Sequence, residues 1–469
     1  MKRFALVALV AALLFGVASS ASATELKVRG NIDVYGMWSS NLVDYNSDAS
    51  DGDNYMTTQR MRTYFDYVAN ENLKAVLGLE MDNVWGDNTD NIGGDWGTDG
   101  KGNIEVRHAY LDFTVPDTTV NVQAGLQYVA LPSVFGNPVF DDEAAAITVS
   151  AQINDMFGVA VGYSRGVDLD YNTQSAAGID NDDTDMAFLA VPVTLDGFSV
   201  TPYFAYGWMG KNTDAATATT IGLLEDYETV DEAAADEDLN GDGDKTDVVD
   251  VDVPYAATYT VKDMTDDTTL WVAGFNAELT MFDPLTFAAD FIYGQSDWEF
   301  DNEAVDSDGW YAALAASYKF DMLTATLFST YFTGLDDDDD DLGKLPQLSE
   351  GWGLTPYIGG VRAFSTSYDT FSGIDNACWV SGLKLTKITF IDKLSHDLTL
   401  AYAAGTSDED AGATFDEEDS AWEVYMVNKY MIYENLAAIN ELGFFAPDFD
   451  DSDDEDNSYF ATVGFQYKF

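Results

Sequence analysis

Cysteine, histidine and basic side chains are scarce in this chain, and each scarcity excludes a class. One cysteine, Cys378, in 469 residues permits no internal disulfide, and one thiol with two histidines, His108 and His396, cannot assemble a Cys/His zinc site. Any metal site must be built from carboxylates. Only 21 Lys and Arg stand against 83 Asp and Glu, a net charge of −62, which excludes a nucleic-acid binder. Neither histidine accompanies a recognisable serine nucleophile motif, and His108 alternates towards the lipid-facing or interface side of its segment, so no enzyme is expected. No glycine-rich loop follows a strand and opens a helix, which leaves nucleotide binding unsupported. Apolar residues are plentiful at 46%, with 14% aromatic, too much Tyr, Phe and Trp for a chain disordered throughout.

Long apolar runs are absent beyond the first residues. Lys2 and Arg3 precede an apolar run from Phe4 to Val17, and Ala21-Ser22-Ala23 offers a small-residue cleavage site before Thr24. That run falls short of the roughly 20 residues a spanning helix needs. Residues 1–23 therefore read as a cleaved secretory signal peptide and 24–469 as a single exported domain. Loss of Lys2 and Arg3 lowers the net charge by two, to −64.

Within the exported part, apolar residues recur with period two. Leu73, Ala75, Leu77, Leu79 and Met81 alternate with Lys74, Val76, Gly78, Glu80 and Asp82, as strand residues on opposite faces do. Strands are expected near 25–39, 58–69, 72–85, 103–115, 118–129, 144–153, 156–166, 184–195, 198–209, 268–281, 285–296, 308–320, 322–333, 376–390, 397–405, 420–432, 435–446 and 458–469. Their connections alternate between short turns, such as Pro116-Asp117 and Asp196-Gly197, and long polar loops at 40–57, 86–102, 130–143, 167–183, 210–267, 297–307, 334–375, 406–419 and 447–457. A soluble sandwich has no reason to segregate its connections in this way. An outer-membrane barrel does, with short periplasmic turns and long extracellular loops, here acidic ones. Lipid cannot hydrogen-bond a backbone, so a spanning sheet must close and leave no edge. The expected fold is an all-β, transmembrane, antiparallel up-and-down β-barrel of eighteen strands. Aromatics near strand ends, among them Trp38, Trp85, Tyr128, Trp208, Trp310 and Trp422, fall where girdles at two membrane interfaces would lie.

The last strand carries Tyr459, Val463, Phe465, Tyr467 and a terminal Phe469 on one face, and in this it resembles the C-terminal strand of bacterial porins. The resemblance implies recognition by the barrel-assembly machinery. The segment Arg107-His108-Ala109-Tyr110-Leu111-Asp112-Phe113, then a turn and Gly125-Leu126-Gln127, is similar to the strand pair before the third loop of trimeric general porins, which makes Arg107 a lumen residue. As a whole the chain most resembles the homotrimeric outer-membrane porins of sulfate-reducing bacteria, which implies a homotrimer in the Gram-negative outer membrane. Two departures stand out. General porins have sixteen strands, the alternative count, and loop 130–143 is short for a loop that folds into a pore.

A barrel of sixteen or eighteen strands leaves an aqueous channel. Candidate pore-lining cations are Lys27, Arg29, Arg60, Arg62, Lys74 and Arg107, all within the first four strands, facing acids such as Glu278, Asp290 and Glu423 across the lumen. The competing reading pairs the arginines with Asp33, Asp66 and Glu80. In the longest loop, Asp238-Leu239-Asn240-Gly241-Asp242-Gly243-Asp244 places oxygen ligands at alternate positions with glycine at the sixth, the spacing of a tight Ca²⁺ loop. Its candidate ligands are Asp238, Asn240, Asp242 and Asp244. The twelfth position is Val249 and not a bidentate Glu, so it is not an EF-hand. Divalent ions at such loops would bridge them to one another and to lipopolysaccharide phosphates. Two functions remain: a porin for passive diffusion of small hydrophilic solutes and ions, or a barrel anchoring acidic, calcium-binding loops with an adhesive or envelope-structural role.

Overall fold

The structure, a computed structural model, describes residues 24–42, 53–87, 96, 103–168, 183–211, 266–299, 304–336, 342–364, 374, 377–411, 413, 415–450 and 456–469. Among these residues are nineteen strands: β1 (Glu25–Ser40), β2 (Asp53–Asn70), β3 (Leu73–Val84), β4 (Asn103–Thr114), β5 (Val120–Ala130), β6 (Asp141–Gln152), β7 (Gly158–Asp168), β8 (Asp183–Ala190), β9 (Val193–Leu195), β10 (Phe198–Met209), β11 (Thr268–Phe282), β12 (Leu285–Glu299), β13 (Ala304–Lys319), β14 (Thr324–Phe332), β15 (Cys378–Ile391), β16 (Leu394–Gly405), β17 (Ser420–Tyr433), β18 (Leu436–Asp448) and β19 (Ser458–Lys468). Strands β8 and β9 both pair with β10 and form one stave, interrupted at Val191-Pro192, because proline has no N–H to give a ladder. The sheet is therefore a closed antiparallel barrel of eighteen staves, as the turn-and-loop pattern predicts, and not of sixteen.

Every stave pairs with its neighbours in sequence, and β1 closes the ring against β19 from Asn31↔Lys468 to Ser40↔Tyr459. The seam ends in a reciprocal pair. Gly30 N–H donates to the Phe469 carbonyl and Phe469 N–H to the Gly30 carbonyl, both at 2.9 Å. The short turns gather at one end of the barrel, as with Glu71-Asn72, Asp196-Gly197 and Glu434-Asn435, and the long connections at the other. One expected long loop is not one. Strands β12 and β13 pair as far as Glu299↔Ala304, so 297–307 is mostly ladder.

Period two in the sequence becomes inside and outside in the barrel. On β19, Tyr459, Val463 and Phe465 are about half exposed on the outer face, whereas Phe460 and Thr462 between them are buried. The outer wall carries Ile104, Leu314, Leu327 and Trp422 among its exposed apolar residues, with stacked aromatics such as Trp310 and Tyr331, ring centroids 4.6 Å apart. An outer surface this apolar is one that water would not solvate without cost.

The interior is partly filled by two connections that turn inward, 131–140 and 342–364. Leu131, Val139, Leu345, Trp352, Tyr357, Ile358 and Phe364 are all buried against inward-facing wall residues such as Tyr35, Ile292, Tyr311 and Phe445. The short connection after β5 thus does enter the barrel. Residues 131–140 read Leu-Pro-Ser-Val-Phe-Gly-Asn-Pro-Val-Phe, without a single charge, so burial costs this loop little in a chain whose other loops are acidic.

Candidate functional site

The cations of the first four strands each meet a carboxylate. Arg29 Nε donates to Asp66 at 3.1 Å, and its guanidinium lies 4.4 Å from the Tyr64 ring centroid, a cation–π distance. Lys74 Nζ stands 3.2 Å from Asp112, and Lys27 Nζ 3.7 Å from Glu25. Arg60 grips both oxygens of Asp82, at 2.8 and 2.7 Å, and lies 3.4 Å from Glu80. Arg62 pairs with Glu80, and Arg107 bridges Glu80, at 2.6 Å, to Glu143. The cross-strand register sets these partners, since Arg60 lies opposite Asp82 and Arg62 opposite Glu80 across β2 and β3. The six cations form a ladder on the inner wall with a compensating acid at every rung. Exposure grades along it: the Arg29 side chain is 52% accessible and the Arg60 side chain 8%.

His108 sits in this ladder and not on the outer face, contrary to its expected alternation. The β3–β4 register shifts between Gly78 and Leu79: His108 pairs with Gly78 but Val106 with Leu79, leaving Arg107 as the extra residue of a bulge. The bulge resets the alternation. His108 lies with its ring centroid 5.2 Å from Tyr64 and 5.8 Å from Tyr110, and its Nε2 is 4.0 Å from Glu143.

The acids expected across the lumen have another task. Asp290 on β12 is buried and accepts hydrogen bonds from Val134 N–H at 2.7 Å, the Ser133 hydroxyl at 3.0 Å and Asn276 Nδ2 at 2.7 Å. It holds the 131–140 loop. Glu423 on β17 accepts from the Thr355 hydroxyl and from Tyr357 N–H, and so holds the 342–364 loop. A third acid, Glu441 on β18, accepts from the Tyr425 hydroxyl at 2.6 Å, Ala363 N–H at 2.8 Å and Thr462 Oγ1 at 2.8 Å, and pairs with Arg362 at 3.0 Å. Glu278 remains exposed on β11.

The two inward loops also pair with each other. Gly351 N–H donates to Asn137 O, Gly353 N–H to Phe135 O and Leu348 N–H to Val139 O, each at 3.0 Å, and Asp141 N–H to Ser349 O at 2.8 Å. Tyr35 stacks on Phe364 and Tyr357 on Phe445, both with centroids 4.7 Å apart. Burial, the dominant cause, pushes the Tyr357 hydroxyl well above the ordinary phenol range, so it stays neutral and bonds Ser458 Oγ at 2.7 Å. Together the loops fill part of the barrel, packed on wall residues from Tyr35 of β1 and Ala146 of β6 to Phe445 of β18 and Phe460 of β19.

Sequence reading missed Glu441, Arg362 and the two plug loops. A loop rich in Leu, Trp, Tyr and Phe, such as 342–364, was the available signal among acidic neighbours. It also missed Lys384, which lines a cavity of about 280 Å³ beneath the loops with Phe135, Phe328, Leu354 and Val361. The candidate calcium ligands Asp238, Asn240, Asp242 and Asp244 lie outside the described residues, as does the 1–23 segment. Among the described residues no group of three or more His, Cys, Asp or Glu could hold a metal ion.

No protein-family model matches the chain, and no curated protein sequence matches it. Solved structures do share its fold. Pseudomonas aeruginosa OccK11 (OpdR) superposes with a TM-score of 0.51 at 11% identity, over 95% of this chain and 96% of that one. The outer membrane protein OprD from Pseudomonas aeruginosa gives 0.50 at 11% identity, over 96% of both chains. Pseudomonas aeruginosa OpdL gives 0.52 at 10% identity, over 95% of this chain and 99% of that one. At such identities the likeness is one of fold.

Proposed function

We propose that this chain is an outer-membrane porin, a water-filled channel for passive diffusion of small hydrophilic solutes and ions, made with a cleaved signal peptide and working as a homotrimer. The observation that carries the reading is the pairing of two surfaces on one closed sheet. Its outer face is apolar and aromatic, fit for lipid, and its inner face bears an ion-paired ladder that only water and polar solutes can wet. Closure leaves no edge to satisfy, and the two loops inside restrict the bore. The fold shared with OprD, an outer membrane protein, supports the location.

In this reading the ladder wets the passage and the loops set its width. Liposome swelling tests it: vesicles reconstituted with the protein should swell in isosmotic sugars at rates that fall steeply with solute size. Swelling no faster than in protein-free vesicles would contradict a diffusion channel.

A further inference from the structure

We infer that the ion selectivity of the pore is set by three lysines, Lys384 on β15, Lys429 on β17 and Lys468 on β19, and not by the arginines of β1 to β4; the inference rests on the channel reading above. All three point inward. Lys384 shares its face with the buried Cys378 and Val380, Lys429 with Glu423 and Tyr425, and Lys468 with Phe460 and Thr462. No register shift intervenes, since the bulges of β15 and β17 fall after Lys384 and Lys429.

What separates them from the ladder is pairing. Every ladder cation has a carboxylate within 4.0 Å, whereas Lys384, Lys429 and Lys468 form no ion pair among the described residues. The acids whose charges act on Lys429 are Asp397 and Asp33, and Asp33 also feels Lys468, whereas Glu423 and Glu441 on the same inner face hold the 342–364 loop. Asp33 accepts from Asn31 Nδ2 at 2.8 Å, and Asp397 accepts from Lys387 N–H at 2.6 Å. These bonds come from neutral N–H donors and leave both carboxylates charged, so the two acids act on Lys429 and Lys468 from a distance and, among the described residues, none of the three lysines closes an ion pair with either.

A close ion pair presents a passing ion with a dipole, whose field falls off faster than that of a charge. An ammonium with no acid in close contact presents a charge and not a short dipole, and raises the local concentration of anions in the bore. Lys384 lies beneath the plug loops, where the passage is narrowed and salt screens least. The pore's preference for anions at high salt then comes from this side of the barrel.

The test is the zero-current potential in a KCl gradient across a planar bilayer, with wild type, Lys384→Gln/Lys429→Gln/Lys468→Gln, the corresponding triple Lys→Arg variant, and Lys74→Gln/Asp112→Asn. At high salt, wild type should sit on the chloride side, the triple Gln variant should move towards the potassium potential, and the triple Arg variant should stay with wild type. Removing the Lys74–Asp112 pair, which takes away no net charge, should leave the potential in place. A triple Gln variant that conducts with the wild-type potential overturns the assignment, as does an equal shift on removing the ion pair. Absence of current from folded wild type would instead overturn the channel reading itself.

Discussion

Arg362 and Glu441 form an ion pair at 3.0 Å that is sealed from solvent, with side chains 2% and 0% accessible. Arg362 belongs to a loop and Glu441 to the wall, so the pair fastens the plug to the barrel. Around it, Arg362 lies 5.6 Å from the Tyr35 ring centroid and 5.0 Å from that of Phe460. Breaking a buried pair by removing one partner strands the other charge, at a typical cost of about 3–5 kcal/mol. Arg362→Ala should therefore release this end of the loop, with larger and noisier single-channel conductance than wild type. Unchanged conductance in a folded variant would show that the loop is held elsewhere.

The two loops meet at glycines, which makes their contact testable by one methyl group. Gly136 has φ +81, in the left-handed region, and a Cβ there would run into the Gly351 carbonyl oxygen. Gly136→Ala should separate the loops and lower the thermal midpoint, whereas Gly360→Ala, strained in φ but with open space around its Cβ, should lower it less. Equal effects would mean that backbone strain, and not the loop contact, decides.

Glu418, in the connection after β16, titrates above the ordinary carboxylate range because it hydrogen-bonds Asp450 and faces the charges of Glu409 and Asp450. A raised carboxyl favours the protonated form in the folded state. At neutral pH the arrangement is therefore penalised, and the penalty is relieved as pH falls through the raised value. Protection of Asp450 N–H, which donates to Asp419 at 3.0 Å, should rise on mild acidification after correction for intrinsic exchange. Glu418→Gln should abolish that rise, and its persistence would place the titration on another group.

The seam that closes the barrel ends at Phe469. Truncation of Phe469 removes both 2.9 Å hydrogen bonds to Gly30 and the ring stacked on Tyr467. The truncated chain should refold into detergent or lipid with a much lower yield of the heat-sensitive form on gels. Phe469→Ala, which keeps the backbone pair, should retain more. Full yield from the truncation would show that the β1–β19 ladder closes without it.

The barrel was legible because period two and the alternation of turns and loops are local signals. The expected ranges overlap every stave. Departures came where a non-local event intervened. The bulge at Arg107 returned His108 to the inner face, and no pattern of apolar residues marks one extra residue in one strand. The cations of the first four strands were visible as residues, but their neutrality depends on cross-strand register, which pairs Arg60 with Asp82 and Arg62 with Glu80. Asp290 and Glu423 looked like lumen charges because sequence shows that a residue faces inward but not that a loop folds over it.

Single-channel recording in a planar bilayer tests the central claim, that the eighteen-stave barrel encloses a conducting path despite the two loops inside it. Wild-type protein shown to be strand-rich by circular dichroism should give discrete, uniform current steps in KCl. The same preparation inserted without steps, its bilayer conductance no different from lipid alone, would contradict the claim and make the barrel an anchor and not a pore.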